Sequence, residues 1–165
     1  MMLFATPDEL LINSVMFIAS DTVPPTNPMR IFKMKEIDKL ALIDFKDRKI
    51  LSTRSKSKNT YYIPGGKREG NESDADALIR EIREELSVEL DRDSLIFFGV
   101  FKAQAHGQAE GVIVKMTCYT GNYTGELSAN SEIAEVVWLE HKDKVNSSPV
   151  DNIIFDYCKE HGLID

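Results

Sequence analysis

YYIPGGKREGNESDADALIREIREELSV, residues 61–88, changes backbone habit three times within 28 residues. Tyr61 to Ile63 reads as a short strand, halted at Pro64-Gly65-Gly66, where a proline and two glycines permit a sharp turn and unusual backbone angles. A helix follows. Ser73 and Asp76 have the capping-box spacing, and Ala75, Leu78, Ile79, Ile82 and Leu86 recur on one helical face, so the helix is expected to end near Leu86.

On a wheel of about 100° per residue, Glu84, Glu81 and Glu85 fall together on one stripe beside the apolar one. Glu81 and Glu85 form an i, i+4 like-charge pair, unfavourable by a few tenths of a kcal/mol unless a cation sits between them. A hard divalent ion removes that conflict. Mg²⁺ prefers oxygen ligands and is commonly shared between a few carboxylates and substrate phosphates. Small Ala77, on the same stripe, is expected to leave room for it.

Working outward, Leu40 to Phe45 is a compact apolar run, and Lys49 to Thr53 resumes after the polar turn Lys46-Asp47-Arg48, which together predict a hairpin. Ser55 to Asn59 is a basic, polar loop. Downstream, Leu95 to Val100 and the alternating Gly111 to Tyr119 predict a second hairpin, and Glu135 to Leu139 is a short strand containing Trp138. A last helix spans Val150 to Glu160 and closes at His161-Gly162. Strands, helix, strands, helix predict a mixed β-sheet with helices on its faces, an α+β fold of α/β/α sandwich type.

A chain of 165 residues suits one ordinary domain. With 42% apolar and 28% charged residues it has the composition of a globular protein, and no apolar run approaches the roughly 18 residues of a membrane span. The net charge of -7 argues against binding a nucleic acid polymer, so an anionic substrate needs local help from basic residues or a metal. Cys118 and Cys158, without a CxxC pair or nearby histidine, suggest neither zinc nor a disulfide framework and fit a reducing cytoplasm. Residues 1–28 read as an N-terminal arm, with a short helix over about 7–19 stopped by Pro24, Pro25 and Pro28, and the main domain takes residues 29–165. Asp8 and Glu9 stand where a secretory signal carries basic charge. The arm's apolar stripe, Leu10, Leu11, Val15 and Ile18, favours a docked arm, with a homodimer as the leading version.

Residues 66–88 resemble the Nudix box, G-x5-E-x7-R-E-U-x-E-E-x-G-U with U apolar, and place Gly66, Glu72, Arg80, Glu81, Ile82, Glu84, Glu85 and Val88 in register. One fixed position departs: Ser87 stands where the family has glycine. The resemblance runs from about Lys39 to Lys142 and implies a Nudix fold with a catalytic loop-helix-loop. It further implies a metal, Mg²⁺ or Mn²⁺ in its place, held by Glu81, Glu84 and Glu85 with the carbonyl of Gly65, and oriented through Arg80. The implied reaction is attack of water on a nucleoside diphosphate linked to X, cleaving within the diphosphate. Glu84, Glu85, Arg80 and Glu132 are the candidate catalytic residues. Glu132 is chosen because Ser-Glu-Ile-Ala-Glu-Val-Val-Trp is similar to the acidic loop before a tryptophan strand in relatives.

Arg54 and Lys67, with Gly66 of the turn, are the candidate substrate contacts, since they flank the turn and suit phosphate oxygens. Tyr61, Tyr62 and Phe97 are core aromatics first and base-stacking candidates second. Lys102-Ala103-Gln104-Ala105 lacks the proline that ADP-ribose enzymes often carry there. A MutT-like nucleoside triphosphate pyrophosphohydrolase is therefore the leading expectation. A nucleotide-sugar or ADP-ribose pyrophosphatase, or a non-catalytic ligand sensor of the same fold, is the alternative.

Overall fold

The computed structural model describes residues 35–165, and the expected arm at 1–28 lies outside them. In chain order the elements are β1 (Lys35–Leu42), β2 (Phe45–Lys46), β3 (Lys49–Ser55), β4 (Tyr61–Tyr62), α1 (Asp74–Leu86), β5 (Glu89–Leu90), β6 (Ile96–Gln104), β7 (Val112–Thr120), β8 (Tyr123–Thr124), β9 (Ile133–Leu139) and α2 (Pro149–Glu160). One sheet is mixed, in the order β1-β7-β6, with β1 parallel to β7 and β6 antiparallel to it. A second carries β2-β3-β4 with β9 on the free side of β3, and β5 pairs with β8. No helix among the described residues is long and apolar enough to cross a membrane.

The run Leu40-Ala41-Leu42-Ile43 is buried throughout, because β1 and its continuation are covered on both faces. Leu40 and Leu42 join Leu51 and the α1 residues Leu78, Ile82 and Leu86 in one core cluster. Ala41 and Ile43 join Met116, Cys118 and the α2 residues Ile154 and Phe155 in the other. A helix on each face completes the α/β/α arrangement.

The first expected hairpin is corrected in its partners. Leu40–Leu42 belongs to β1 and pairs with β7, and only Phe45–Lys46 turns back onto β3, through Asp47 and Arg48 at φ 50° and 59°. Two consecutive left-handed residues make the tight turn whose twist suits a two-residue hairpin. An unbroken apolar run fits either a hairpin strand or a strand buried between layers, and here the second environment wins. The predicted hairpin of β6 and β7 is present, with a register shift between Phe97 and Gly99.

Helix α1 begins where capping chemistry places it: Ser73 is the N-cap, and its hydroxyl accepts a hydrogen bond from the Asp76 amide. It ends at Leu86, followed by Ser87 at φ 60°, ψ 26°, left-handed where the family has glycine. Replacing Ser87 by glycine removes the Cβ strain of that conformation, which costs a non-glycine residue about 1–2 kcal/mol, offset in part by glycine's extra freedom when unfolded. Ser87→Gly is therefore expected to raise the free energy of urea unfolding by up to about 1 kcal/mol, and Ser87→Val to lower it.

Candidate active site

The Pro64-Gly65-Gly66 turn is sewn to one edge of β1: the Leu42 amide donates to Pro64 O at 2.9 Å and the Leu40 amide to Gly66 O at 2.8 Å. Gly65 has φ 139°, and a Cβ there would stand 2.3 Å from the Leu40 carbonyl oxygen. At Gly66 a Cβ would meet the Glu81 carboxylate at 2.1 Å, so the second glycine is where the backbone closes on the acidic helix.

Glu85 departs from the stripe expected for it. The buried residues of α1 are Ala77, Leu78, Ile82, Glu85 and Leu86, so Glu85 sits within the packed face and Ala77 is core rather than open space. Its carboxylate accepts a hydrogen bond from the Gly65 amide at 3.0 Å. Burial, together with the nearby charges of Glu81 and Glu132, pushes its pKa up to about 8, against the pull of the Gly65 amide and of Lys39.

Arg80 ties the loop to the helix. Its guanidinium donates twice to Glu72, at 2.9 and 2.8 Å, and once to the Lys67 carbonyl at 2.9 Å, and it stands 3.1 Å from Glu81. The Arg80 hydrogen bonds hold Glu72 down at about 2, so Glu72 braces the loop as a permanent anion.

The C-terminal carbonyls of α1, which lack helical partners, are met by a distant loop: the Ser131 hydroxyl donates to Glu84 O, the Asn130 amide to Glu85 O and the Ser128 amide to Leu86 O. That loop delivers Glu132. Gly65, Gly66, Lys67, Glu81, Glu85 and Glu132 thus line one cavity of about 210 Å³.

A family model described as the NUDIX domain matches residues 37–153. The chain belongs to the Nudix hydrolase family. The Nudix hydrolase YvcI of Bacillus subtilis (strain 168) is 31% identical over 123 residues, 72% of this chain and 77% of that protein. The solved ORF135 protein of E. coli is 27% identical with a TM-score of 0.54, over 74% of this chain and 88% of its own. The MutT protein from Methanosarcina mazei Go1, at 15% identity, shares the fold with a TM-score of 0.60, over 79% and 97% of the two chains.

Within this Nudix domain three expected site residues stand away from the cavity. Glu84 is exposed, with 55% of its side-chain surface open, 3.8 Å from Arg80. Arg80 itself lies behind the loop that it braces. Arg54 points to Glu135, to which it donates at 2.8 Å, and also donates to the Lys58 carbonyl at 3.1 Å. Tyr61 donates to the same Glu135 oxygen at 2.6 Å, which accounts for Tyr61 without a base to stack on. Lys39 and Lys58 line the cavity and went unnoticed in the sequence. Lys39 precedes an apolar strand core and Lys58 sits in a polar loop, and neither position announces a site.

Among the described residues no three acidic, histidine or cysteine side chains already converge on one point as a metal cage would require. The donor set nonetheless fits a hard divalent cation: Glu81, Glu85 and Glu132 share one cavity with the Gly65-Gly66 turn, and their mutual repulsion is what a cation would relieve.

The folded protein without metal keeps a proton on Glu85 up to about pH 8, whereas the unfolded chain loses it near the ordinary value of 4.5. The native state therefore holds the extra proton within that window, and stability falls as pH rises through it. Urea unfolding in a chelator at pH 5, 6.5 and 8 is expected to show this decline in the wild type and a flatter profile in Glu85→Gln.

Proposed function

We propose that this Nudix hydrolase is a Mg²⁺-dependent pyrophosphohydrolase, with Mn²⁺ as a substitute, that cleaves by water the diphosphate linkage of a nucleoside diphosphate derivative. A nucleoside triphosphate of the MutT class is the leading substrate. The observation that carries this reading is the buried Glu85 carboxylate, held by the Gly65 amide beside Glu81 and Glu132 and facing Lys39 and Lys67 across one cavity. A fold has little reason to bury a carboxylate among other carboxylates unless a cation is to be received there.

In this reading Glu81 and Glu85 with the Gly65 carbonyl would hold the metal, Glu84 standing outside the cavity, and the metal would supply charge neutralisation to the phosphates and to the developing in-line transition state. Glu132, carried in by the loop over the end of α1, takes the proton of the attacking water. Arg80 is a positioning residue: it fixes Glu72 and Lys67 and keeps the Glu81 carboxylate aimed at the turn. Lys67, exposed on the cavity rim, meets phosphate oxygens, and the Gly66 backbone lets them approach closely. Arg54 serves the substrate indirectly, by bracing the Lys58 loop. Buried Cys118 and Cys158, both free thiols, suit a cytoplasmic protein.

A screen of nucleoside triphosphates, nucleotide sugars and ADP-ribose tests class and substrate together. Hydrolysis is expected with Mg²⁺, abolished by chelation and restored by Mg²⁺ or Mn²⁺. Glu85→Gln and Glu132→Gln are each expected to lower kcat by about 10²–10⁴-fold with far-ultraviolet circular dichroism unchanged. Turnover that persists in chelator, or turnover by both variants equal to that of the wild type, defeats the proposal.

A further inference from the structure

The acidic cavity does not end at its lysines. A second cavity of about 270 Å³ shares Lys39, Lys58, Tyr62, Lys67 and Met116 with the first, so the two meet along one border. Either alone falls below the roughly 300 Å³ at which small-molecule sites begin, and joined they reach it. Their chemistry is opposite. Beyond the border the carboxylates are gone, and the walls are apolar Ile37, Val114 and Met116 with the amides of Gln104 and Gln108. Tyr62, on the border itself, shares a hydrogen bond of 2.9 Å between its phenol and Nδ1 of His106, which lines the second cavity alone.

The border is cationic and uncommitted. Five lysines form ion pairs among the described residues, namely Lys49, Lys102, Lys115, Lys142 and Lys144, and none of them lines either cavity. Lys39, Lys58 and Lys67 have no carboxylate partner there. Lys39 stands on β1 opposite Met116, and Lys58 lies 4.7 Å above the Tyr62 ring. Burial holds the Lys39 ammonium below the ordinary lysine range; Asp151 and Glu85 pull it back up, and Lys58 and Lys67 push it further down. Three cations that repel one another on a protein of net charge -7 are the arrangement expected of a seat for a multiply charged anion.

We propose that Lys39, Lys58 and Lys67 form a cationic saddle that seats the phosphate chain of the substrate across the border of the two cavities. The scissile anhydride lies at the carboxylate end, and the uncharged nucleoside occupies the second cavity, beside Tyr62 and His106. The proposal rests on the hydrolase reading above and adds to it a direction for the substrate and a division of labour. The saddle supplies affinity for phosphate, and the second cavity selects what is attached. Lys39 is the member buried enough to act as a fixed donor, while Lys58 and Lys67 close from exposed loops.

The test uses the full chain and its Lys39→Met, Lys39→Arg, Lys58→Met and Tyr62→Phe variants. Binding of α,β-methylene ATP is followed by calorimetry with Mg²⁺, inorganic tripolyphosphate serves as competitor, and KM and kcat are measured on the nucleotide that the screen identifies. Losing one charged hydrogen bond to phosphate predicts a weakening of about 10- to 100-fold for both ligands in Lys39→Met. KM should rise in parallel, kcat should change little, and Lys39→Arg should recover most of the loss. Mn²⁺ affinity read by paramagnetic resonance should stay at the wild-type value, since the carboxylate end is untouched. Tyr62→Phe should weaken the nucleotide and leave tripolyphosphate unchanged. Should Lys39→Met fail to fold, exposed Lys58→Met carries the same expectation. Wild-type cleavage with KM and both affinities unaltered in Lys39→Met and Lys58→Met overturns the saddle and leaves the hydrolase reading standing. Wild-type binding that depends on the lysines, without cleavage of any nucleotide, does the reverse. Absence of binding by either ligand overturns the saddle.

Discussion

A carboxylate buried in the packing face of a helix is the constraint around which this domain is arranged. Glu85 lies among Leu78, Ile82 and Leu86, and removing an ionised carboxylate from water costs several kcal/mol unless other groups replace the lost hydration. The Gly65 amide supplies part of that replacement. For it to do so, the turn must lie flat against β1, which only a residue without a Cβ can manage beside the Leu40 carbonyl. The same approach forbids a side chain at Gly66, where the Glu81 carboxylate fills the space. The two glycines, the edge of β1 and the two glutamates therefore form one mutually dependent unit.

The charged residues of the loop-helix segment divide into a braced set and an exposed set. Arg80 spends its donors on Glu72 and the Lys67 carbonyl, and Arg68 bridges Asp38 and Asp74 at 2.6 and 2.7 Å. These pairs fix the loop from Lys67 to Ser73 without entering the cavity. What remains lining it is the carboxylates of Glu81, Glu85 and Glu132 together with the ammonium groups of Lys39, Lys58 and Lys67, which form no ion pair among the described residues, a set of charges that a polyanion with its counter-ion would complete. The loop through Ser128, Asn130 and Ser131 serves the helix end and the site at once. Satisfying the last carbonyls of α1 is a structural necessity, and the same hydrogen bonds bring Glu132 beside Glu85.

Local rules made much of this legible in the sequence. Ser73 capping α1, the stop at Leu86 and the turn at Pro64-Gly65-Gly66 all depend on interactions within four or five residues, and the local sequence fixes those directly. The box spacing likewise placed Glu81, Glu84 and Glu85 on one helix and pointed to the Nudix family, whose model matches residues 37–153. Where sequence reasoning failed, the partner was remote. Leu40–Leu42 pairs with β7 instead of turning back on β3, and nothing in an apolar run distinguishes the two. Arg54 flanks the site in sequence yet turns to Glu135, because alternate residues of β3 face opposite sides of the sheet and Thr53 and Ser55 are the ones that face the cavity.

By itself the sequence determined the family, the helix that carries the glutamates and the turn that faces it, since each is a matter of short-range spacing and backbone permission. Tertiary structure alone decided that Glu85 is buried while Glu84 is exposed, that Glu132 joins them, and that Lys39 and Lys58 meet Lys67 at the border of a second cavity. The physical reason is that a side chain's role here is set by what the other layer places against it, and packing between strands distant in the chain leaves no periodic signal in either one.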